Sequence, residues 1–221
     1  MTNTGRNPRL PRAARADPSK DTPERILQAA LDAFSQKGFD GARTRDIAER
    51  ADVTLGLVQY HFGTKDELWK VAVERAFGEL ERGLDRALAN PRGVDERELL
   101  RELIRRHVKF VAENTAFIRI MHDEGKQRGP RMRWLVDRYV KPLFGKISPL
   151  IVSAQKNGIL LDDVDPAHFV YILVGATGMI FHQAEECKRV VGIDPSEPTS
   201  VAAHSRAVEF LFLGHNNEEN Q

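Results

Sequence analysis

TRDIAERADVTLGLVQYHFGTK, residues 44–65, holds two short apolar-periodic segments, a three-residue break and an aromatic, histidine-bearing end. The first segment, Thr44 to Ala51, can be capped by the Thr44 hydroxyl and buries Ile47, Ala48 and Ala51 on one side. The break, Asp52-Val53-Thr54, sets an apolar residue between polar ones. Thr54 then caps a second segment running through His61, with Leu57 and Val58 inward and Gln59 and Tyr60 outward. Helices this short are unstable alone and must dock on a larger element. A tight helix–turn–helix held on a third helix lays its second helix in the major groove, so double-stranded DNA is the expected partner.

Outward from this stretch, Phe34, Gly38-Phe39, Thr44, Ile47-Ala48, Ala51, Val53, Gly56, His61-Phe62, Lys65 and Leu68 follow one another in register. With these landmarks, residues 22–69 resemble the N-terminal domain of the TetR family of transcriptional regulators. The resemblance implies an N-terminal three-helix DNA-binding domain and a C-terminal helical domain for ligand binding and dimerisation. It further implies a homodimer on a palindromic operator, acting as a repressor and released by a small-molecule ligand. Gln59 departs from the aromatic residue that many members carry there; its amide can donate to and accept from an adenine edge, which bears on operator sequence rather than on function.

The candidate DNA contacts are Thr44, Arg45, Thr54, Leu55, Gly56, Gln59, Tyr60, His61 and Lys65. Thr54, Leu55, Gly56, Gln59 and Tyr60 lie at the start of the second helix or opposite Leu57 and Val58, and Gly56 leaves room for close backbone approach. The resemblance assigns Arg45 to a base edge and Thr44, Tyr60, His61 and Lys65 to phosphates. Lys65 opens a helix, where amide N–H groups and its ammonium can meet one phosphate. Plain alternatives stay open for two of these: a solvated Lys65, and a core histidine at His61 beside Phe62.

A net charge of +1 with 29% charged residues means that nucleic-acid affinity must come from a local patch. Arg6, Arg9, Arg12, Arg15 and Lys20, opposed only by Asp17, form one in a Pro/Asn/Ala-rich arm, residues 1–20, expected to be disordered and to follow the DNA backbone or enter a minor groove. No apolar core follows those arginines, which argues against a signal peptide. Cys187 is the single cysteine, excluding an intramolecular disulfide and any multi-cysteine metal site. The most apolar run, Phe169 to Phe181, is interrupted by Gly175 and Gly178 and is too short to span a bilayer. A cytoplasmic protein without a membrane partner is the expectation.

Helical spacing continues through the chain, so the predicted class is all-α, with a DNA-binding domain over 21–66, an effector-binding and dimerisation domain over 67–215 and a disordered tail at 216–221. Thr22-Pro23 opens the first helix and Gly38 stops it. Thr64 and Glu67 stand in capping-box register before a long helix with Leu68, Val71, Ala72, Phe77, Leu80 and Leu84 inward, ending before Asn90-Pro91-Arg92-Gly93. Later helices are predicted over 95–114, 117–124, 130–157 with a bend near Pro142 or Pro149, 166–188 and 200–213. The last two, rich in apolar and small residues, are the candidate homodimer interface.

Family geometry puts the ligand pocket between about Phe77 and Tyr171, where His107, Phe110, Phe117, Met121, His122, Trp134, Tyr139, His168 and Tyr171 offer aromatic surface with a few polar groups. Such a lining suits a mostly apolar organic effector. No cofactor is implied, and His122-Asp123 with His107 lacks the spacing of a metal site. The competing readings are a DNA-binding regulator without an effector and an all-α enzyme; no nucleophile elbow, glycine-rich phosphate loop or paired His/Glu motif supports the latter.

Overall fold

Helical periodicity with no competing strand alternation yields α-helices throughout residues 18–89 and 95–214, the parts of the chain described by this computed structural model. In order they are α1 (Pro18–Gly41), α2 (Thr44–Arg50), α3 (Leu55–Phe62), α4 (Lys65–Leu88), α5 (Glu96–Glu113), α6 (Thr115–Gly125), α7 (Pro130–Leu135), a π-helical turn (Val136–Val140), α8 (Lys141–Lys156), α9 (Pro166–His182), α10 (Ala184–Val191) and α11 (Pro198–Leu213). Residues 1–17 of the expected basic arm, the break at Asn90-Pro91-Arg92-Gly93 and the tail at 216–221 lie outside the described residues. Among the described residues no helix is long and apolar enough to cross a membrane.

Several expected boundaries move. The first helix begins at Pro18, so Pro23 lies inside it and Thr22 is buried instead of serving as an exposed cap. Pro23 is the sixth residue of α1, beyond the N–H groups of the first turn that have no partner within the helix, so its ring removes one backbone bond near the helix start. Gly38 does stop the regular part of α1, at φ +66°, a left-handed conformation that glycine adopts without a Cβ clash. The long fourth helix turns Val71 outward; its buried stripe is Leu68, Trp69, Ala72, Val73, Ala76, Phe77 and Leu84. Trp69 and Val73 complete the helical period that Val71 would break.

The segment over 130–157 is interrupted at the π-helical turn directly before Pro142, where the ring would otherwise meet the carbonyl one turn earlier. The helix expected over 166–188 ends at His182, and Gln183 at φ −103°, ψ 33° separates it from α10. The composition changes there too, from the almost wholly apolar Phe169–Phe181 to the charged run Glu185, Glu186, Lys188 and Arg189.

Two clusters of buried side chains organise the fold. The first gathers α1, α2, α3 and the first half of α4 with Phe117 and Ile120 of α6, Leu135 of α7 and Tyr139 of the π-helical turn. The second gathers Ile104, Val108 and Val111 of α5, Ile151 and Ala154 of α8, Phe169 and Phe181 of α9 and Val208 and Leu213 of α11. Phe110 and Ile118 pack against both. Arg105 also joins α5 to α11 through paired bonds to Glu209, each 3.0 Å long.

Phe77 is buried, stacks on Tyr139 at 4.4 Å and meets the edge of Phe117 at 4.9 Å. Phe77→Ala is expected to lower stability by about 3–5 kcal/mol, whereas the outward-facing Val71→Ala should stay within about 0.5 kcal/mol. Urea unfolding of the two variants checks both figures.

Candidate nucleic-acid interface and ligand region

The helix–turn–helix is built from caps and one special backbone position. Arg43, in extended conformation, precedes α2, and no side chain caps that helix. Thr44 therefore does not act as its cap; it is already the first helical residue, too late to receive the orphan N–H groups. Asp52 turns the chain at φ 53°, the one positive φ outside glycine among the described residues. Val53 then packs against the core. The Thr54 hydroxyl accepts a bond from the Leu57 N–H at 3.2 Å and so starts α3.

The inward stripe of α3 is Leu55, Val58 and Phe62. Leu55 was expected among the outward DNA contacts and Leu57 among the inward residues. The spacing of three and four residues from Val58 puts Leu55, not Leu57, over the core, and Leu55 is half-buried against it. Thr54, Gly56, Gln59, Tyr60 and His61 are all exposed, Tyr60 at 82%. His61 is thus no core histidine; its ring lies 5.2 Å from that of Tyr60. A Cβ on Gly56 would meet only the Thr54 hydroxyl, at 4.0 Å, so the space above this residue is open.

Arg45 is exposed at the start of α2, and Thr44 beside it is half-buried. Arg43 is exposed as well, a second guanidinium at the same helix end that the sequence reading passed over although the Arg-Thr-Arg pattern displays it. Asp46, on the same turn, is neutralised by Lys37 at 2.7 Å, and the hydrogen bond from that ammonium holds its carboxyl below the usual range. Arg50 donates to Gln36 at 2.9 Å, a second tie between α2 and α1.

Between α3 and α4, Gly63 adopts φ +67°, and a Cβ there would fall 2.4 Å from Glu67 Oε2. That oxygen accepts from the Thr64 N–H at 2.8 Å while the Thr64 hydroxyl accepts from the Glu67 N–H at 3.2 Å, the expected capping box. Lys65 follows directly. Its ammonium is not simply solvated: it lies 3.4 Å from the Asp40 carbonyl oxygen and 4.5 Å from the centre of the Phe39 ring. The candidate site thus comprises the exposed Arg43 and Arg45 at the start of α2, the exposed Tyr60 and His61 of α3 and the half-buried Lys65 at the start of α4.

The candidate ligand residues divide. Phe110, Phe117, Met121, Trp134 and Tyr139 come together beside Phe77, with Phe110 and Phe117 at 5.9 Å and Trp134 and Tyr139 at 5.3 Å. His122 stacks on His182 of α9 at 4.5 Å. His107 Nε2 and His182 Nδ1 are buried without a hydrogen-bond partner. Tyr171 does not join them: it is 72% exposed on α9, and His168 is exposed one turn earlier. The sides of α9 that pack inward carry Phe169, Thr177, Gly178 and Phe181 and leave Tyr171 on the other side. A groove of about 600 Å³ lies elsewhere, between α5 and α11 beside Arg105, Lys109, Ser205 and Glu209, and contains none of these aromatic residues. Among the described residues no group of three or more His, Cys, Asp or Glu is gathered to hold a metal ion.

Sequence comparison matches residues 26–72 to bacterial regulatory proteins of the tetR family and residues 97–209 to the tetracyclin repressor-like C-terminal domain. The HTH-type transcriptional repressor NicS of Pseudomonas putida is 28% identical over 172 residues, covering 75% of this chain and 76% of its own. The HTH-type transcriptional regulator RutR of Escherichia coli is 30% identical over 171 residues, covering 76% and 77% respectively. In fold, the chain is similar to the fatty acid degradation regulator FadR from Bacillus halodurans, with a TM-score of 0.65 at 18% identity over 92% of this chain and 98% of that one.

Burial pushes the His107 pKa down from 6.5 to about 4. The unfolded chain therefore takes up a proton that the folded one refuses, so the stability contributed by neutral His107 is intact above pH 6.5 and lost as pH falls to about 4. His107→Leu is expected to flatten this part of the stability–pH curve, by about 3 kcal/mol at most, as read by denaturant unfolding across that range.

Proposed function

The chain belongs to the TetR family of bacterial transcriptional regulators, and from that premise we propose that it is a repressor that binds a two-half-site operator as a homodimer and is released by a small-molecule effector. The observation that carries the reading is the surface of α3, where Thr54, Gly56, Gln59, Tyr60 and His61 are exposed while Leu55, Val58 and Phe62 anchor the helix. In each protomer α3 enters the major groove. Gln59 and Arg45 read base edges, while Thr44, Tyr60, His61 and Lys65 contact phosphates, with Arg43 beside them.

Dimerisation through α9 and α11 is supported by the apolar surface they leave in the single chain. Tyr171, Ile172, Val174 and Met179 of α9 and Phe210 and Leu211 of α11 are exposed, Leu211 at 75%. His204 ties the two helices together, its Nε2 2.9 Å from the Ala176 carbonyl oxygen. Exposed apolar side chains on two joined helices are what a four-helix interface between copies would cover. Two protomers joined there present two copies of α3, matching the symmetry of a palindromic operator.

The effector would enter among Phe110, Phe117, Met121, Trp134 and Tyr139, where the partnerless nitrogens of His107 and His182 supply hydrogen-bonding groups to an otherwise apolar molecule. Effector binding shifts the population towards protomer arrangements whose two α3 helices no longer match successive major grooves. Reciprocity follows: the effector binds the operator complex less tightly than the free dimer.

Selection from a random duplex library, followed by affinity for the recovered duplex and a scrambled control at fixed salt, tests the reading. A two-half-site motif bound at least about a thousandfold more tightly than the control is expected; salt-sensitive binding without sequence preference would overturn it. Leu211→Glu should give a folded monomer by sedimentation and lose the tight binding, because it puts a charge into the proposed interface. Lys65→Ala should weaken binding to all sequences and flatten the salt dependence by about 0.9 per lost phosphate contact on a log–log plot.

A further inference from the structure

Phe39 stands where the two halves of the protein meet. It follows the turn at Gly38, stacks on Phe34 at 5.9 Å and meets Trp69 of α4 edge-on at 6.3 Å. Two cations lie against its ring. One is the Lys65 ammonium, 4.5 Å from the ring centre. The other is the guanidinium of Arg131 at the start of α7, only 3.8 Å from the same centre and 5.8 Å from that of Trp69.

Arg131 is not free to leave. Its Nε donates to Glu124 Oε1 at 2.9 Å, and Glu124, in the last turn of α6, is 6% exposed. The second oxygen of that carboxylate has no hydrogen-bond partner. A buried carboxylate with one cation holds that cation firmly, since separating them leaves an uncompensated charge in the interior. The guanidinium is thereby fixed over Phe39, where the negative face of the ring attracts it.

We propose that Arg131 is a positioning residue for the DNA contact of Lys65, acting through the Phe39 ring. The proposal rests on the reading of Lys65 as a phosphate contact. Arg131, anchored by Glu124, holds the ring of Phe39; Phe39 and the neighbouring Asp40 carbonyl set the place from which the Lys65 ammonium reaches a phosphate. The long stem of Lys65 would otherwise sample many rotamers, and ordering it beforehand lowers the cost of binding. The arrangement also gives the C-terminal half a physical hold on the DNA-binding surface. Glu124 lies on α6 together with Phe117, Met121 and His122, so a molecule that rearranges those side chains moves the carboxylate to which Arg131 is tied.

The test measures binding of the full-length chain to the duplex recovered by selection, at several salt concentrations, with melting temperatures recorded alongside. Glu124→Gln/Arg131→Met removes the cation without leaving a bare carboxylate, and Phe39→Leu removes the ring while keeping the Glu124–Arg131 pair. Each is expected to bind about three- to tenfold more weakly than wild type. That loss should vanish when either is combined with Lys65→Ala. Should the first variant fold poorly, Phe39→Leu alone carries the comparison. Equal losses with and without Lys65, or wild-type binding by these variants while Lys65→Ala flattens the salt slope, overturn the proposal alone. An unchanged salt slope for Lys65→Ala overturns the phosphate reading of Lys65, and the proposal with it.

Discussion

Helices of seven and eight residues have no stability of their own, and α2 and α3 hold their positions only through what they bury. Ile47 and Ala48 from α2, Ala51 directly after it and Val58 from α3 enter one core with Ile26, Ala30 and Phe34 of α1 and Leu68, Trp69 and Ala72 of α4. Every outward residue of the DNA-binding surface takes its place from that burial. The polar ties add register: Lys37 to Asp46 and Arg50 to Gln36 fix α2 along α1, and the Thr64–Glu67 box fixes where α4 begins.

The same core does not end with the helix–turn–helix. Aromatic rings follow one another from Phe34 through Phe39, Trp69, Trp134, Tyr139 and Phe77 to Phe117 and Phe110. Rings packed edge to face and face to face resist small independent displacements, because protein interiors are close-packed and lose contacts when gaps open. Any coupling between the two halves requires groups with differential contacts in two arrangements, and this row of rings spans both halves.

Much of this was legible in the residues themselves. The caps at Thr54 and Thr64, the stop at Gly38 and most of the apolar interior of α4 depend on neighbours within a turn or two, which local spacing reports. The errors have two causes. Leu57 as an inward residue and Val71 as core each require knowing the rotation of a helix about its own axis, which short stretches of apolar residues leave loosely specified, while Thr44 as a cap misses the helix boundary by one residue. The continuous helix over 166–188 failed for a related reason: composition favours helix on both sides of Gln183, and only the direction of packing separates α9 from α10.

The candidate ligand residues were the least legible part. Phe110, Phe117, Trp134 and Tyr139 come together from three separate segments of the chain, and Tyr171, equally aromatic, faces away. Composition, helical period and capping chemistry determined the all-α class, the helix–turn–helix and the presence of a second helical half, because these are decided by residues close together in the chain. The tertiary structure alone decided which face of each helix is buried, that Arg131 reaches Phe39, and that His107 and His182 keep unpaired nitrogens in the interior. Those facts depend on helices distant in sequence meeting at particular rotations, which no local pattern encodes.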